Sequence, residues 1–231
     1  MASWMIHLRV ADRLLDRLDD LSPQAFIMGN IAPDSGVPNE DWSVFTPATS
    51  VSHFKDTTLQ TGKKISIPRF VKKHFTPAMR QRYGIRENSF FLGYLVHLLT
   101  DILWADRIFT PTTRKFASEF AADKTAFISR VKGDWYDLDY LYLHRHPDFR
   151  AFRIYQNSEG FVNTFMDIFS PDALDNRRAY ITEFYLQPRD DLDHPYRYLT
   201  EQEAGEFVDT CIREILEILD ADYSIQSHSL L

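Results

Sequence analysis

Apolar residues recur at three- and four-residue intervals along most of this chain, and stretches that alternate apolar with polar residues are few. The pattern predicts amphipathic helices. The first spans residues 4–21, where His7, Ala11, Leu14, Leu15 and Leu18 share one face. Residues 22–66 read differently: prolines at 23, 33, 38 and 47, together with Gly29, Gly36 and Gly62, predict mostly loop. A loop of that length is uncommon within a domain and often functional. Helical spacing returns over 68–83 and again over 88–109, the latter with Asn88 or Ser89 as its cap. Pro111 suits the first turn of a helix that runs to residue 131, Gly133 interrupts it, and 135–143 resumes the pattern. Two further helices are expected over 158–169 and 171–186. The last, 200–220, opens on Thr200-Glu201-Gln202-Glu203, a capping-box pattern. The expected architecture is all-α, a single helical domain over residues 1–222 with a long N-terminal loop region and a loose tail over 223–231.

Against this background several polar residues stand where packing alone does not ask for them. The stripe of the 88–109 helix runs Phe90, Phe91, Tyr94, His97, Asp101, Trp104 and Ile108. His97 and Asp101 are four apart and project side by side from the face expected to be buried. A buried carboxylate costs several kcal/mol unless it is paired or bound to a cation. The two residues are therefore either a hydrogen-bonded core pair or part of a metal site. His7, on the core face of the first helix, poses the same alternative. In the loop region, Pro33-Asp34 presents one carboxylate at a turn, and His53 sits between apolar neighbours in Val51-Ser52-His53-Phe54. Three imidazoles and two carboxylates make a ligand set suited to zinc, with iron or manganese as alternatives. His74 beside lysines, His194 in a polar turn and His228 in the tail are set aside, and His144 and His146 read as solvated at a helix end.

Composition narrows the function classes. Of 231 residues, 44% are hydrophobic and 26% charged, which excludes a disordered chain. The 33 acidic residues outnumber the 26 basic ones, for a net charge of −7. That balance argues against a general nucleic-acid or anionic-membrane binder. One cysteine, Cys211, leaves no internal disulfide framework and no cysteine-rich zinc cluster. The apolar runs fall well short of the roughly 20 residues a membrane span needs. The N-terminus lacks the basic-then-apolar pattern of a signal peptide, so a cytoplasmic location is expected.

Taken in order, Trp4 and His7, Asp34 in Pro-Asp-Ser-Gly, His53 in Ser-His-Phe and His97-x-x-x-Asp101 in Gly-Tyr-Leu-Val-His-Leu-Leu-Thr-Asp carry a family pattern. With them the sequence resembles the zinc-dependent phospholipase C family, whose all-helical fold is shared with the P1-type nucleases. These motifs cover residues 1–109. The resemblance implies that Asp34, His53, His97 and Asp101 surround one zinc, and that Asp101 bridges towards another ion held partly by His7. It implies hydrolysis of a phosphate ester, small-molecule or lipid-like and most simply a phosphodiester. The nucleophile would be hydroxide from metal-bound water, whose pKa a divalent ion lowers to about 7. Asp34 would orient that water or take its proton.

The sequence departs from the family at two points. Secreted members present an N-terminal Trp amine and carbonyl to a metal, whereas Trp4 lies three residues inside this chain. The family's later His and His-x-x-x-Glu ligands are also missing, since no histidine follows Asp101 until His144. That argues against a third ion in its usual form. Asp137 or Asp139 is the candidate replacement, and Asp139 is the better placed if the helix continues past Gly133, although a solvated acid is the plainer reading. Two competing functions follow. One is a binding or structural protein that keeps the fold, with or without one metal, but has lost turnover. The other is an HD-type phosphohydrolase, disfavoured because no His here is directly followed by Asp.

Overall fold

In the computed structural model, which describes residues 1–41 and 43–225, the chain begins with helix α1, Trp4–Leu14. Ser3 caps it, its Oγ accepting the Ile6 N–H. The helix stops before residue 21, and the turn that follows puts Asp20 in the left-handed region while Leu18 stays in the core. Pro23 then opens α2, Pro23–Ile31. Here a proline read as loop punctuation occupies the first helical turn, where its missing N–H costs nothing. The long loop region is therefore shorter than expected, because residues 25–31 form a helix buried on all sides.

A 3₁₀ turn, Ala32–Asp34, leads from α2 into a short antiparallel hairpin of β1, Val37–Pro38, and β2, Phe45–Thr46. The register pairs Val37 with Thr46 and Pro38 with Phe45. One helical turn, α3 (Thr49–Ser52), precedes a loop closed by the bridge between Lys55 and Ile65. The expected 68–83 helix is two, α4 (Ile67–His74) and α5 (Pro77–Arg82), divided where Thr76 caps α5. The central helix α6, Ile85–Trp104, starts from Gly84 rather than Asn88 or Ser89. It passes through a π-turn, Ala105–Phe109, into α7, Thr110–Lys115.

After α8 (Ala117–Ala122), helix α9 runs from Lys124 to Arg145 without a break at Gly133. Asp123 caps it by accepting the Ala126 N–H. Helix α10, Arg150–Gln156, was not expected. Residues 158–169, expected to be helical, form turns instead. The Asn163 side chain takes over the local backbone groups, donating to the carbonyls of Met166 and Phe169 and accepting from the amides of Phe165 and Met166. The apolar spacing there reflects Phe161, Met166 and Phe169 filling the core. Helix α11 is Ala173–Leu186, and α12, Glu201–Tyr223, begins with the capping box of Thr200 and Glu203. The expected tail thus starts inside α12, and the remainder of it, 226–231 with His228, lies outside the described residues. Among the described residues no helix is long and apolar enough to cross a membrane.

Two helices set the geometry of the interior. Helix α6 is buried continuously from Ser89 to Asp101, and α2 lies directly on its backbone. A Cβ at Gly29 would sit 2.1 Å from the Phe90 carbonyl oxygen, and one at Gly93 would sit 2.1 Å from that of Phe26. Each glycine therefore admits the other helix's main chain. Asn30 adds a hydrogen bond from its Nδ2 to the Gly93 carbonyl at 3.4 Å.

Gly93→Ala should lower stability by about 3 kcal/mol or more in chemical denaturation, because the obstacle is rigid backbone. Gly133→Ala, which meets nothing within 4 Å, should be neutral or stabilising by up to about 1 kcal/mol. Equal effects of the two would refute the close-approach account.

His74, set beside lysines at the end of α4, is buried. Its ring stacks on Phe91 and its Nε2 has no hydrogen-bond partner. Burial pulls its pKa down to about 4 from 6.5, with the charge of Lys73 adding to the effect. The folded state then binds fewer protons than the unfolded chain between those values, so stability falls as pH drops through this window. His74→Phe should flatten the stability curve of chelator-treated protein between pH 6.5 and 4, and an unchanged slope would count against this assignment.

Candidate metal centre

Four separate elements deliver the expected residues to one buried place. Helix α1 supplies His7, the 3₁₀ turn after α2 supplies Asp34, the end of α3 supplies His53, and α6 supplies His97 and Asp101. His7, His97 and Asp101 have no solvent exposure, and His53 has 1%. Candidate ligand atoms of His7, His97 and Asp101 lie within 4.8 Å of one another, as do those of Asp34, His53 and His97.

The ring orientations are set from outside the cluster. His97 Nδ1 lies 2.7 Å from the Asn30 carbonyl, which only accepts, so Nδ1 carries the proton and Nε2 presents its lone pair inward. His53 Nδ1 lies 3.0 Å from Ser52 Oγ, which turns its Nε2 inward as well. The two Nε2 atoms are 3.3 Å apart. The ring of His7 stacks on that of His97, with centroids 3.8 Å apart and planes within 6°.

Asp101 faces both halves of the cluster. Its Oδ1 is 3.7 Å from His7 Nε2 and accepts the Ala2 N–H at 2.8 Å, whereas its Oδ2 is 3.7 Å from His53 Nε2 and 3.9 Å from Lys63 Nζ. Asp34 Oδ1 approaches His53 Nε2 at 3.4 Å.

The electrostatics follow from burial and these neighbours. Burial, the largest influence on His97, combines with His7 to pull its pKa to about 3, so the ring is neutral. For His53 the loss of water works downward, but Asp34 and then Asp101 outweigh it and the pKa rises. For Asp101 burial works upward and is outweighed by the His7 contact and the Lys63 charge, which hold it below the usual carboxylate range. Asp34 is likewise lowered, burial being overcome by His53 and His97. Both ring nitrogens of His7 and Oδ2 of Asp101 lack hydrogen-bond partners despite full burial. Unpaired buried polar atoms are costly, and a divalent ion would satisfy them. The residues therefore fit zinc in both donor chemistry and unmet coordination capacity.

The cluster adjoins a cavity of about 570 Å³, and Asp34 belongs to the lining of that cavity as well as to the cluster. Trp4 also lines it, with its ring among Tyr136, Tyr180, Phe184 and Tyr185.

Neither candidate replacement carboxylate joins the cluster. Asp137 accepts hydrogen bonds from Arg189 and contacts His194. Asp139 is 3% exposed rather than solvated, and accepts hydrogen bonds from Ser3 Oγ at 2.8 Å and Tyr185 OH at 2.6 Å. Burial raises its pKa to about 7. Ser3 thus caps α1 and moors it to α9 through a single hydroxyl.

Lys63 and the positioning roles of Asn30 and Ser3 were missed at the sequence level. Lys63 lies in a loop, where spacing says nothing of its neighbours. Asn30 offers a signal, as the polar residue inside an apolar run, but the prolines and glycines around it predict loop there.

An all-helical protein with His and Asp side chains gathered beside a cavity has the make-up of a metal-site fold. The chain belongs to the zinc dependent phospholipase C family, whose model matches residues 6–215. Comparison with curated proteins and with solved structures found no match.

Elemental analysis of protein purified without chelator should find at least one equivalent of zinc per chain. His97→Ala and Asp101→Asn should each lose most of it. At free zinc 100-fold above its Kd, the metal adds about 2.7 kcal/mol to stability, which chelation should remove. A wild-type protein that folds stably and refuses added zinc would reduce the cluster to a core network.

Proposed function

We propose that this protein hydrolyses a phosphodiester, lipid-like or small and soluble, at zinc held by Asp34, His53, His97 and Asp101. His7 and the Oδ1 side of Asp101 extend the set towards a further ion. Zinc bound there supplies Lewis-acid activation of water and charge neutralisation at the phosphoryl group.

The chain's own residues account for the rest. The Asn30 carbonyl and Ser52 hydroxyl hold the two imidazoles so that one nitrogen of each faces the cluster. Asp101 spans the cluster with one oxygen on each side. Asp34 stands where the cluster meets the cavity, placed to orient the attacking water and to accept its proton. The aromatic rings in the lining exclude water from part of the cavity and suit the apolar portion of an ester.

The observation that carries this reading is the double membership of Asp34. A metal site with a purely structural role is closed, whereas a catalytic one keeps a side open to substrate. The non-catalytic alternative predicts a closed site or one that holds no metal.

Zinc-loaded protein should hydrolyse bis(p-nitrophenyl) phosphate and a short-chain phosphatidylcholine. Asp34→Asn should lower kcat by about 100-fold or more while retaining part of the zinc. Full zinc loading with no turnover of any phosphodiester would return the protein to the binding-only reading.

A further inference from the structure

The chain as a whole is acidic, yet the cavity beside the cluster is not. Among the described residues, its lining holds the cationic side chains Lys55, Lys63, Lys132 and Arg177, and Asp34 is the one acidic side chain there. Such a concentration is unexpected in a protein of net charge −7. It also has a cost within the fold. Lys63 is three-quarters buried, and Lys63 and Lys64 are both held in the left-handed region, at φ 55° and 63°. The bridge between Lys55 and Ile65 fixes Lys55 on the other arm of the same loop. Arg177 is anchored by a hydrogen bond to the Gly36 carbonyl at 2.6 Å and lies 5.4 Å from the Tyr180 ring. Lys132 approaches from α9, and its charge is felt at Lys63. Among the described residues, no carboxylate forms an ion pair with Lys55 or Lys132.

Aromatic rings share this lining: Trp4, Phe45, Trp135, Tyr136 and Tyr180. Rings alone would suit a quaternary ammonium group by cation–π attraction. Here a cationic head group would meet four cationic side chains and a single carboxylate among the described lining residues. Low-dielectric walls lined by one sign of charge concentrate ligands of the opposite sign.

We propose that this cavity selects phosphodiesters whose head group carries a further negative charge, and that Lys55 and Lys132 determine this specificity. The inference rests on the hydrolase reading for its substrate class, but the charge selection is testable without turnover. Lys63 and Arg177 contribute to the field but also touch Asp101 and the Gly36 backbone, so they are unsuitable for the test.

The experiment compares an inositol 4-phosphate head group with a choline head group on zinc-loaded protein. Each is offered as a dihexanoyl lipid and as the deacylated glycerophosphodiester. The anionic ester should have a kcat/KM about tenfold or more higher in at least one pair, and the pair that shows it identifies lipid or soluble ester as the source. The advantage should shrink in about 1 M salt, where the screening length falls to about 3 Å. A Lys55→Ala, Lys132→Ala double variant should lose most of the advantage, with zinc content and circular dichroism reporting its integrity. Equal rates, a choline preference, or an advantage untouched by the double variant would overturn the proposal. If no ester is hydrolysed, calorimetry with the two deacylated compounds decides. Tighter binding of the anionic one, lost in the double variant, sustains charge selection while the hydrolase reading fails; equal binding overturns it.

Discussion

The close approach of α2 to α6 is the constraint on which the rest of the structure depends. Gly29 and Gly93 let two helices meet main chain to main chain, with no side chain between them. One residue beyond Gly29, the carbonyl of Asn30 reaches His97 Nδ1, and the 3₁₀ turn that follows carries Asp34 to the same place. A millimetre-scale analogy would be two rods bolted at one point, where the bolt sets everything beyond it. Any side chain at either glycine would separate the helices and move the loop-borne carboxylate away from the helix-borne imidazole.

The cluster built on that contact is poor in stabilising partners from the protein. Fully buried nitrogens of His7 and one oxygen of Asp101 make no hydrogen bond. Next to it, Phe54, Lys63 and Lys64 sit in left-handed backbone, each at a cost of about 1–3 kcal/mol. The strained residues and the unpartnered Asp101 Oδ2 meet around His53 and Lys63, where the loop reaches the cluster, while the unpartnered His7 ring lies against His97. Stability elsewhere, in the continuous burial of α6 and α2, offsets these costs.

Much of this was legible in the sequence, and what was not has identifiable causes. His7, His97 and Asp101 stood out because charge and imidazole on an apolar helix face require compensation, whereas Asp34 and His53, in the loop region, gained weight only from the order of the whole set; the structure brings the five close together. The α12 boundary was legible because Thr200 and Glu203 satisfy each other's backbone groups locally. Pro23 misled because proline both breaks helices and starts them, and only tertiary burial of residues 25–31 decides between the two. Gly133 misled similarly, since an open position on a long helix tolerates glycine. Asp139 is buried by partners 136 and 46 residues away, Ser3 and Tyr185, which no local pattern encodes. The cationic cavity was hidden by an average: the net charge of the chain is dominated by acidic residues elsewhere on it.

The double use of the Ser3 hydroxyl has a consequence for how this chain tolerates changes in length. Ser3 accepts the Ile6 N–H and donates to Asp139, so the first turn of α1 is locked in rotation as well as in position. His7 follows one turn later. Each residue of an α-helix advances the side-chain direction by about 100°. An insertion or deletion of a single residue between Ser3 and His7 would therefore swing the imidazole about a quarter-turn off the His97 ring, while leaving composition, charge and helix propensity almost unchanged. The spacing between these two residues is an indel-sensitive ruler, set by helix geometry and held further by Met5 and Ile6, which are buried in the core between them.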